Sequence, residues 1–338
     1  MDHTTQLTES FMLGTLAFLT AMLLTPVLTG VLYRYNVVKR LRTRGMFTPA
    51  KAAVFTKLHK DKAGTPTMGG ILIWVVVAGI TFFLNLSRAE TYLPLFTIVA
   101  VGIVGAIDDI FNVRGVGGSG GGLRGRHKLL FQITIGAVGA WWFYSKLGYS
   151  SLHVPGVGGF ELGWLYVPLF ILVIVATTNA VNITDGLDGL AGGLLAIAFS
   201  AFGVLSYYNG LFALAAFCTT VVGALLAFLW FNIYPARFFM GDTGSMALGA
   251  TLGVVAALND NLLVLFVIGL VFVVETLSVI IQISWRKAFK RKLLQSAPLH
   301  HHLEAIGWPE TKVTMRFWII GAVFAVIGVV LGIIGSGR

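Results

Sequence analysis

Apolar runs about the length of a bilayer crossing recur from one end of the chain to the other, separated by short polar breaks. They cover residues 11–34, 68–87, 92–109, 129–146, 164–184, 188–208, 210–231, 243–259, 261–285 and 316–335. A helix needs about 20 predominantly apolar residues to cross the hydrocarbon core, so the pattern predicts ten transmembrane helices in an all-α, polytopic membrane protein. The breaks leave no room for a separate soluble domain, and a single domain over 1–338 is expected. The first run is expected to stay in place as a helix. Asp2 and Glu9 stand where a positive n-region would be, and no small-residue cleavage site follows.

Composition strengthens this picture. Hydrophobic residues make up 57% of the 338 and charged residues only 11%, with a mean hydropathy of +0.85, whereas soluble domains carry about a quarter charged residues. Charge also orients the chain. Of the 24 Lys and Arg, all but Arg88, Lys146 and Arg338 lie in 34–67, 110–128 and 286–316 or at Arg237. Because basic loops stay cytoplasmic, both termini are expected outside and the loops after odd-numbered spans inside. The net charge of +10 then needs only topology and anionic headgroups, and no nucleic-acid partner is expected. Cys218, the single cysteine, excludes an internal disulfide and a cysteine-rich metal site; it reads as a packing residue.

Against this apolar background the carboxylates stand out. Asp108 and Asp109 end the third span, Asp185 and Asp188 lie between the fifth and sixth, and Asp242 opens the eighth. All five fall on the cytoplasmic side by the charge rule. A charge near hydrocarbon costs about 2.5–3.5 kcal/mol on the insertion scale, so five converging acids point to a cation or a site, the plainer alternative being acids that reach into water. Asn179, Asn182, Asp185 and Asp188 recur every third residue and would form a polar stripe down one helix face. Gly186, Gly189, Gly192 and Gly193 interrupt the stretch and permit close approach of a ligand or of another helix.

Two helix starts are expected to point into the same layer. Thr65 would cap the second span with Pro66 at its first position, which, with Lys62 beside it, would make an anion site. The eighth span opens with Gly241-Asp242-Thr243-Gly244-Ser245, where the carboxylate could hold a metal. A simple cap is the alternative at both. Carboxylate and phosphate oxygens suit Mg²⁺ better than zinc. His300, His301 and His302 are consecutive, so on a helix they point about 100° apart and do not converge on one ion; contacts to phosphate oxygens or proton transfer fit them better, a plain polar loop being the alternative. Gly115-Val-Gly117-Gly-Ser-Gly120 has the spacing of a dinucleotide loop, but it follows a membrane span and lacks the later acid, so it reads as a flexible loop.

Five segments in this order resemble the polyprenyl-phosphate N-acetylhexosamine-1-phosphate transferases: KAGTPTMGG from Lys62, GAIDD with Asp108 and Asp109, NAVNITDGLDGLAGG from Asn179, NIYPARFFMGDTGS from Asn232 to Ser245, and PLHHHLEAIGWPE from Pro298. The unbroken histidine triplet followed by Trp308-Pro309-Glu310, with TPTMGG near the start, is similar to the muramoyl-pentapeptide branch. The chain departs from common members in its glycine-rich 115–122 loop and its basic first loop.

The resemblance implies a Mg²⁺-dependent reaction in which undecaprenyl phosphate attacks the sugar-linked phosphate of UDP-MurNAc-pentapeptide, giving lipid I and UMP. It implies Asp242 as metal ligand, with Asp108 and Asp109 contacting the lipid phosphate or acting as base on it. It further implies Phe239 stacked on uracil with Lys62 and Thr67 at the border of that site, and Asn179, Asn182, Asp185, Asp188, Asn232 and Gly241 around the donor. Lys128, His300, His301 and His302 would reach phosphates. The resemblance also suggests a homodimer in a bacterial plasma membrane. The ninth span, with Glu275 inside it, is expected to bend and frame an opening for the lipid, unless Glu275 only caps a helix contact. The competing readings are UDP-N-acetylglucosamine as donor, which the 298–310 segment disfavours, and a secondary transporter, which would place its acids near the midplane and show related halves.

Overall fold

The computed structural model describes residues 3–38, 62, 64–117 and 121–335. Most of the basic first loop, including Lys39 to Lys60, lies outside the described residues, as do Gly118 to Gly120 of the glycine-rich loop. The α-helices among the described residues are α1 (His3–Arg34), α2 (Gly70–Leu84), α3 (Tyr92–Arg114), α4 (Gly125–Trp142), α5 (Tyr166–Thr184), α6 (Leu190–Tyr208), α7 (Phe212–Asn232), α8 (Gly241–Leu258), α9 (Leu262–Ile268), α10 (Leu270–Phe289), α11 (Leu299–Ala305) and α12 (Glu310–Gly335).

Each of the ten predicted spans corresponds to one helix or, in the ninth, to the pair α9 and α10. Among the described residues, seven single helices are long and apolar enough to cross a membrane, and the α9–α10 pair, bent by 82°, makes up to eight; α2 and α4 are not among them. The second span is shorter than predicted, because α2 has 15 residues. A two-stranded antiparallel hairpin, β1 (Ser151–Val154) paired to β2 (Gly158–Glu161) with Ser151 opposite Glu161, is an addition to the all-α expectation. It turns at Pro155-Gly156, where Gly156 has φ +76°.

The centre of the bundle is α8, in which every residue is buried. Its sequence explains its place. Gly, Ala, Ser and Thr dominate GDTGSMALGATLGVVAAL, and small side chains let neighbouring backbones approach without large voids. A Cβ on Gly105 of α3 would lie 2.6 Å from the Thr243 Cα, and one on Gly249 would lie 3.0 Å from the Thr178 Cα of α5. Large apolar residues are instead turned outwards on the peripheral helices, among them Leu23, Phe83 and Ile334, each more than 70% exposed. A small-residue centre with an apolar exterior suits a chain whose surroundings are lipid.

The two ends of this bundle differ. At one end the C-terminus of α3 meets the N-terminus of α8, where Thr243 N–H donates to Asp109. At the other, Tyr149, just before the hairpin, donates to the Leu258 carbonyl at the end of α8 at 3.2 Å, and His153 of β1 places Nε2 2.6 Å from the Gly335 carbonyl at the end of α12. Cys218 is buried and free within α7, as a packing residue should be.

Candidate active site

Asp108 and Asp109 are consecutive on α3, so their side chains diverge. Asp108 turns to the start of α4: its Oδ2 is 2.7 Å from Lys128 Nζ, and its Oδ1 accepts from the Leu123 N–H at 2.5 Å. Asp109 turns to the start of α8, where its Oδ2 accepts from the Thr243 N–H at 3.0 Å. Asp242, in the first turn of α8, places Oδ2 2.6 Å from the same Lys128 Nζ. One ammonium therefore holds carboxylates from two helices, with a third carboxylate alongside. All three acids are buried and Lys128 retains one fifth of its side-chain exposure, so the cluster meets solvent mainly through the lysine.

Gly241 makes the approach possible. Its φ of +76° favours glycine, and a Cβ there would come within 2.5 Å of Asp109 Oδ2 and 2.8 Å of Thr67 Oγ1. Thr67 is wholly buried, and its hydroxyl has no hydrogen-bond partner among the described residues. A buried unsatisfied hydroxyl costs about 1–3 kcal/mol, which marks this spot beside the acids as unusual.

The segments carrying Thr67 and Gly241 form one unit. Phe239 N–H donates to the Pro66 carbonyl, Gly69 N–H to the Phe239 carbonyl and Gly70 N–H to the Met240 carbonyl, at 2.8, 2.8 and 2.9 Å. This corrects the expected cap: Thr65 and Pro66 precede α2 in extended chain bridged to Val38, and the helix starts after Gly69 without a side-chain cap. Lys62 consequently does not sit at the N-terminus of α2. In the irregular segment before Gly241, Phe238 is buried against Phe228 and Phe231 while Phe239 is partly exposed.

Lys62 Nζ lies 5.8 Å from the centre of the Phe239 ring. It is also 2.6 Å from Asp188 Oδ1 and 2.5 Å from Glu310 Oε1. Asp188 Oδ2 accepts from the Ala236 N–H at 3.0 Å. Asn232 is buried and joins Gly189 N–H to the Phe238 carbonyl, at 3.0 and 2.9 Å.

The expected polar stripe does not form on one face. Helix α5 ends at Thr184, Asp185 sits at its C-terminus and Asp188 lies beyond it. Asn179 is exposed and reaches Gln132 of α4, Asn182 reaches Ser245 of α8, and Asp188 reaches Lys62. The helix ends too early for a spacing of three to keep these side chains together. The glycines after Asp185 serve packing: a Cβ on Gly189 would meet the Trp318 ring at 3.4 Å, and one on Gly192 the Leu229 side chain at 3.0 Å.

The histidines diverge as their adjacency predicts. His300 is wholly buried, with Nδ1 2.9 Å from Glu275 Oε2 and its backbone N–H donating to Glu275 Oε1 at 3.1 Å. Its Nε2 has no partner among the described residues and faces Gly186, where a Cβ would fall 3.0 Å from the His300 Cε1. His301 Nδ1 is 2.8 Å from Glu304 Oε2, and His302 Nδ1 accepts from the Gln295 N–H at 3.3 Å. Glu275 thus holds a histidine. Sequence reasoning missed this partnership, and also Gln132, Ser245 and Glu304, whose partners lie on other elements or inside the histidine helix. Glu310 was visible only as part of a motif, although an acid immediately after Pro309 at a helix start was a usable signal.

Among the described residues no three His, Cys, Asp or Glu side chains converge as a metal cage. Asp108 and Asp242 nevertheless converge on one cation, the Lys128 ammonium, and offer the hard oxygen donors that a divalent ion such as Mg²⁺ takes together with water and phosphate. The donor set fits such an ion.

Comparison with known proteins gives the same direction. The family Glycosyl transferase family 4 matches residues 91–259, and the Phospho-N-acetylmuramoyl-pentapeptide-transferase signature 1 matches residues 62–73. A phospho-N-acetylmuramoyl-pentapeptide-transferase of Geobacillus thermodenitrificans is 42% identical over 319 residues, covering 93% of this chain and 94% of the relative. Relatives of the same name in Shouchella clausii and Chloroflexus aurantiacus are 39% identical over 327 residues and 42% over 315, covering 94% and 89% of this chain and 96% and 83% of their own.

Proposed function

The chain belongs to the phospho-N-acetylmuramoyl-pentapeptide-transferase family, within glycosyl transferase family 4, and from that premise we propose that it makes lipid I. In this reading undecaprenyl phosphate attacks the sugar-linked phosphate of UDP-MurNAc-pentapeptide, the bond between the two donor phosphates breaks, and UMP leaves. The chain is a single domain that crosses a bacterial plasma membrane ten times, with both termini outside and the acid-bearing end of the bundle in the cytoplasm. It works as a homodimer. The observation that carries the reading is the meeting of Asp108, Asp242 and Lys128 from three separate elements, with Asp109, Gly241 and Thr67 against them.

Phosphoryl transfer depends on placement and charge neutralisation more than on covalent catalysis. Three carboxylates would repel an incoming phosphate: two unit charges 4 Å apart cost about 4 kcal/mol at an effective dielectric of 20. Lys128 offsets this by drawing Asp108 and Asp242 towards one ammonium. Mg²⁺, held by Asp242 with Asp108 beside it, would supply further neutralisation of the phosphate oxygens. The lipid phosphate is largely dianionic at pH 7, its second pKa being near 6, so Asp109 and Asp108 serve more to place it than to deprotonate it.

The uracil stacks on the partly exposed Phe239 ring, with Lys62 5.8 Å from its centre supplying charge for the donor phosphates. Asn182 and Asp185 border the sugar, and His301 and His302 reach phosphate oxygens from α11. Asn179, Asp188 and Asn232 hold the walls. The bend between α9 and α10 opens a groove for the prenyl chain, and α10 turns Val274, Leu277 and Ile280 outwards along it.

The test is UMP release by detergent-purified protein given undecaprenyl phosphate and either UDP-MurNAc-pentapeptide or UDP-N-acetylglucosamine, with and without Mg²⁺. Mg²⁺-dependent release from the muramoyl donor alone is expected. Release from the N-acetylglucosamine donor alone would move the chain to the sister chemistry, and release from neither in folded protein would end the transferase reading.

A further inference from the structure

Helix α12 grips the turn after α5 with one face. Glu310 Oε1 accepts from the Asp188 N–H at 2.6 Å, Thr314 Oγ1 donates to the Asp188 carbonyl at 3.3 Å, and Trp318 Nε1 donates to the Gly189 carbonyl at 3.2 Å. Residues four apart on a helix share a face, so these three contacts form one row. Only the first reaches further. The Glu310 oxygen that accepts from Asp188 is also 2.5 Å from Lys62 Nζ, and Asp188 itself contacts that ammonium at 2.6 Å. Lys62 enters from a different part of the chain and has a long flexible stem, so its place beside Phe239 is set by these two carboxylates.

We propose that Glu310 is a positioning residue for the nucleotide donor, acting through Lys62: it fixes the ammonium beside the Phe239 ring while locking the Asp188 turn against α12. The proposal rests on the reading that Phe239 and Lys62 border the donor site. Glu310 touches neither donor nor acceptor. Its effect is preorganisation of a side chain that otherwise loses several rotamers when the donor binds.

The experiment is steady-state kinetics on the full-length enzyme with the concentrations of UDP-MurNAc-pentapeptide and undecaprenyl phosphate varied separately. Glu310→Gln keeps the shape and an acceptor for the Asp188 N–H but removes the charge that holds Lys62. It is expected to raise the donor KM by about tenfold, the cost of immobilising one rotamer-rich side chain on binding, while kcat and the acceptor KM stay unchanged. Glu310→Asp should recover part of the loss. In a Lys62→Ala background Glu310→Gln should add nothing, and Thr314→Val, which loosens the same turn without touching Lys62, should leave the donor KM alone.

Equal rises in both KM values, a Thr314→Val effect as large as that of Glu310→Gln, or multiplication of the two losses in the double variant would overturn the proposal and make Glu310 a structural anchor only. If Lys62→Ala raises the donor KM and Glu310→Gln does not, this inference alone falls. If Lys62→Ala itself leaves the donor KM unchanged, the placement of the donor beside Phe239 falls with it.

Discussion

The protein uses the same arrangement twice, an ammonium between two carboxylates, with opposite surroundings. Lys128 lies 2.7 and 2.6 Å from Asp108 and Asp242, and Lys62 lies 2.6 and 2.5 Å from Asp188 and Glu310. Around Lys62 the carboxylates are also tied to backbone, Asp188 to the Ala236 N–H and Glu310 to the Asp188 N–H. These bonds join residues far apart in sequence and would be lost if the carboxylates moved. Around Lys128, the Leu123 N–H holds Asp108, a further carboxylate stands nearby on Asp109, and next to that lies the Thr67 hydroxyl, which has no partner among the described residues. Equal distances therefore do not imply equal roles. The Lys62 cluster holds the chain and fixes the ammonium beside Phe239, whereas the Lys128 cluster collects negative charge where a cation and phosphates can meet.

Substitutions can separate the two. Removing the proposed metal ligand, Asp242→Ala, should lower kcat for UMP release by about 10³-fold or more, the scale of losing a group that stabilises transition-state charge. It should leave the melting temperature unchanged or slightly raised, because it relieves crowding among acids. Asp188→Ala should do the reverse, costing about 1–3 kcal/mol of stability, because the part-buried Ala236 N–H loses its acceptor and Lys62 keeps only Glu310. Thermal melting in one detergent compares the pair directly, and a larger loss of stability in Asp242→Ala would break the distinction.

Gly186→Ala tests the buried His300–Glu275 pair, which belongs to neither lysine cluster. A Cβ there presses on the His300 ring, which Glu275 holds from behind, so the ring or the turn must shift. A fall in kcat of about tenfold is expected from a small misplacement near the chemistry, with little change in melting temperature; unchanged kcat would remove His300 from the site. The smallest effect is expected at the other end of the bundle. Burial raises the Asp260 carboxyl above its ordinary pKa, partly countered by His153. A raised folded-state pKa makes ionisation unfavourable to the fold, so stability is lost as pH rises through that pKa. Asp260→Asn should raise the melting temperature slightly at neutral pH, the gain vanishing as pH falls below the ordinary carboxylate range, with UMP release unaffected.

Much of this was legible in the chain because membranes impose strong patterns. Every predicted span is occupied by a helix or, in the ninth, by a broken pair, and the acids at span ends do gather at one end of the bundle. The central place of α8 was not read from the sequence, although its small residues and its hydropathy, the lowest among the membrane-length helices described, were usable signals. What the sequence hid was pairing across long separations: Glu275 with His300, Lys62 with Glu310, and the joining of 66–70 to 239–240. Periodicity describes one element at a time and says nothing of partners on another. The stripe from Asn179 to Asp188 failed for a local reason, the end of α5 at Thr184, and the hairpin at 151–161 was missed because its short strands lack clear alternation.

The claim that one lysine cluster serves the metal and the other the donor is tested most directly by the Mg²⁺ dependence of UMP release in Asp242→Asn and Asp188→Asn, each compared with the unaltered protein. The account predicts that Asp242→Asn shifts half-maximal activation to far higher Mg²⁺ or abolishes activity, while Asp188→Asn keeps the Mg²⁺ requirement and raises the donor KM. Equal shifts in Mg²⁺ requirement, or a shift only in Asp188→Asn, would contradict it.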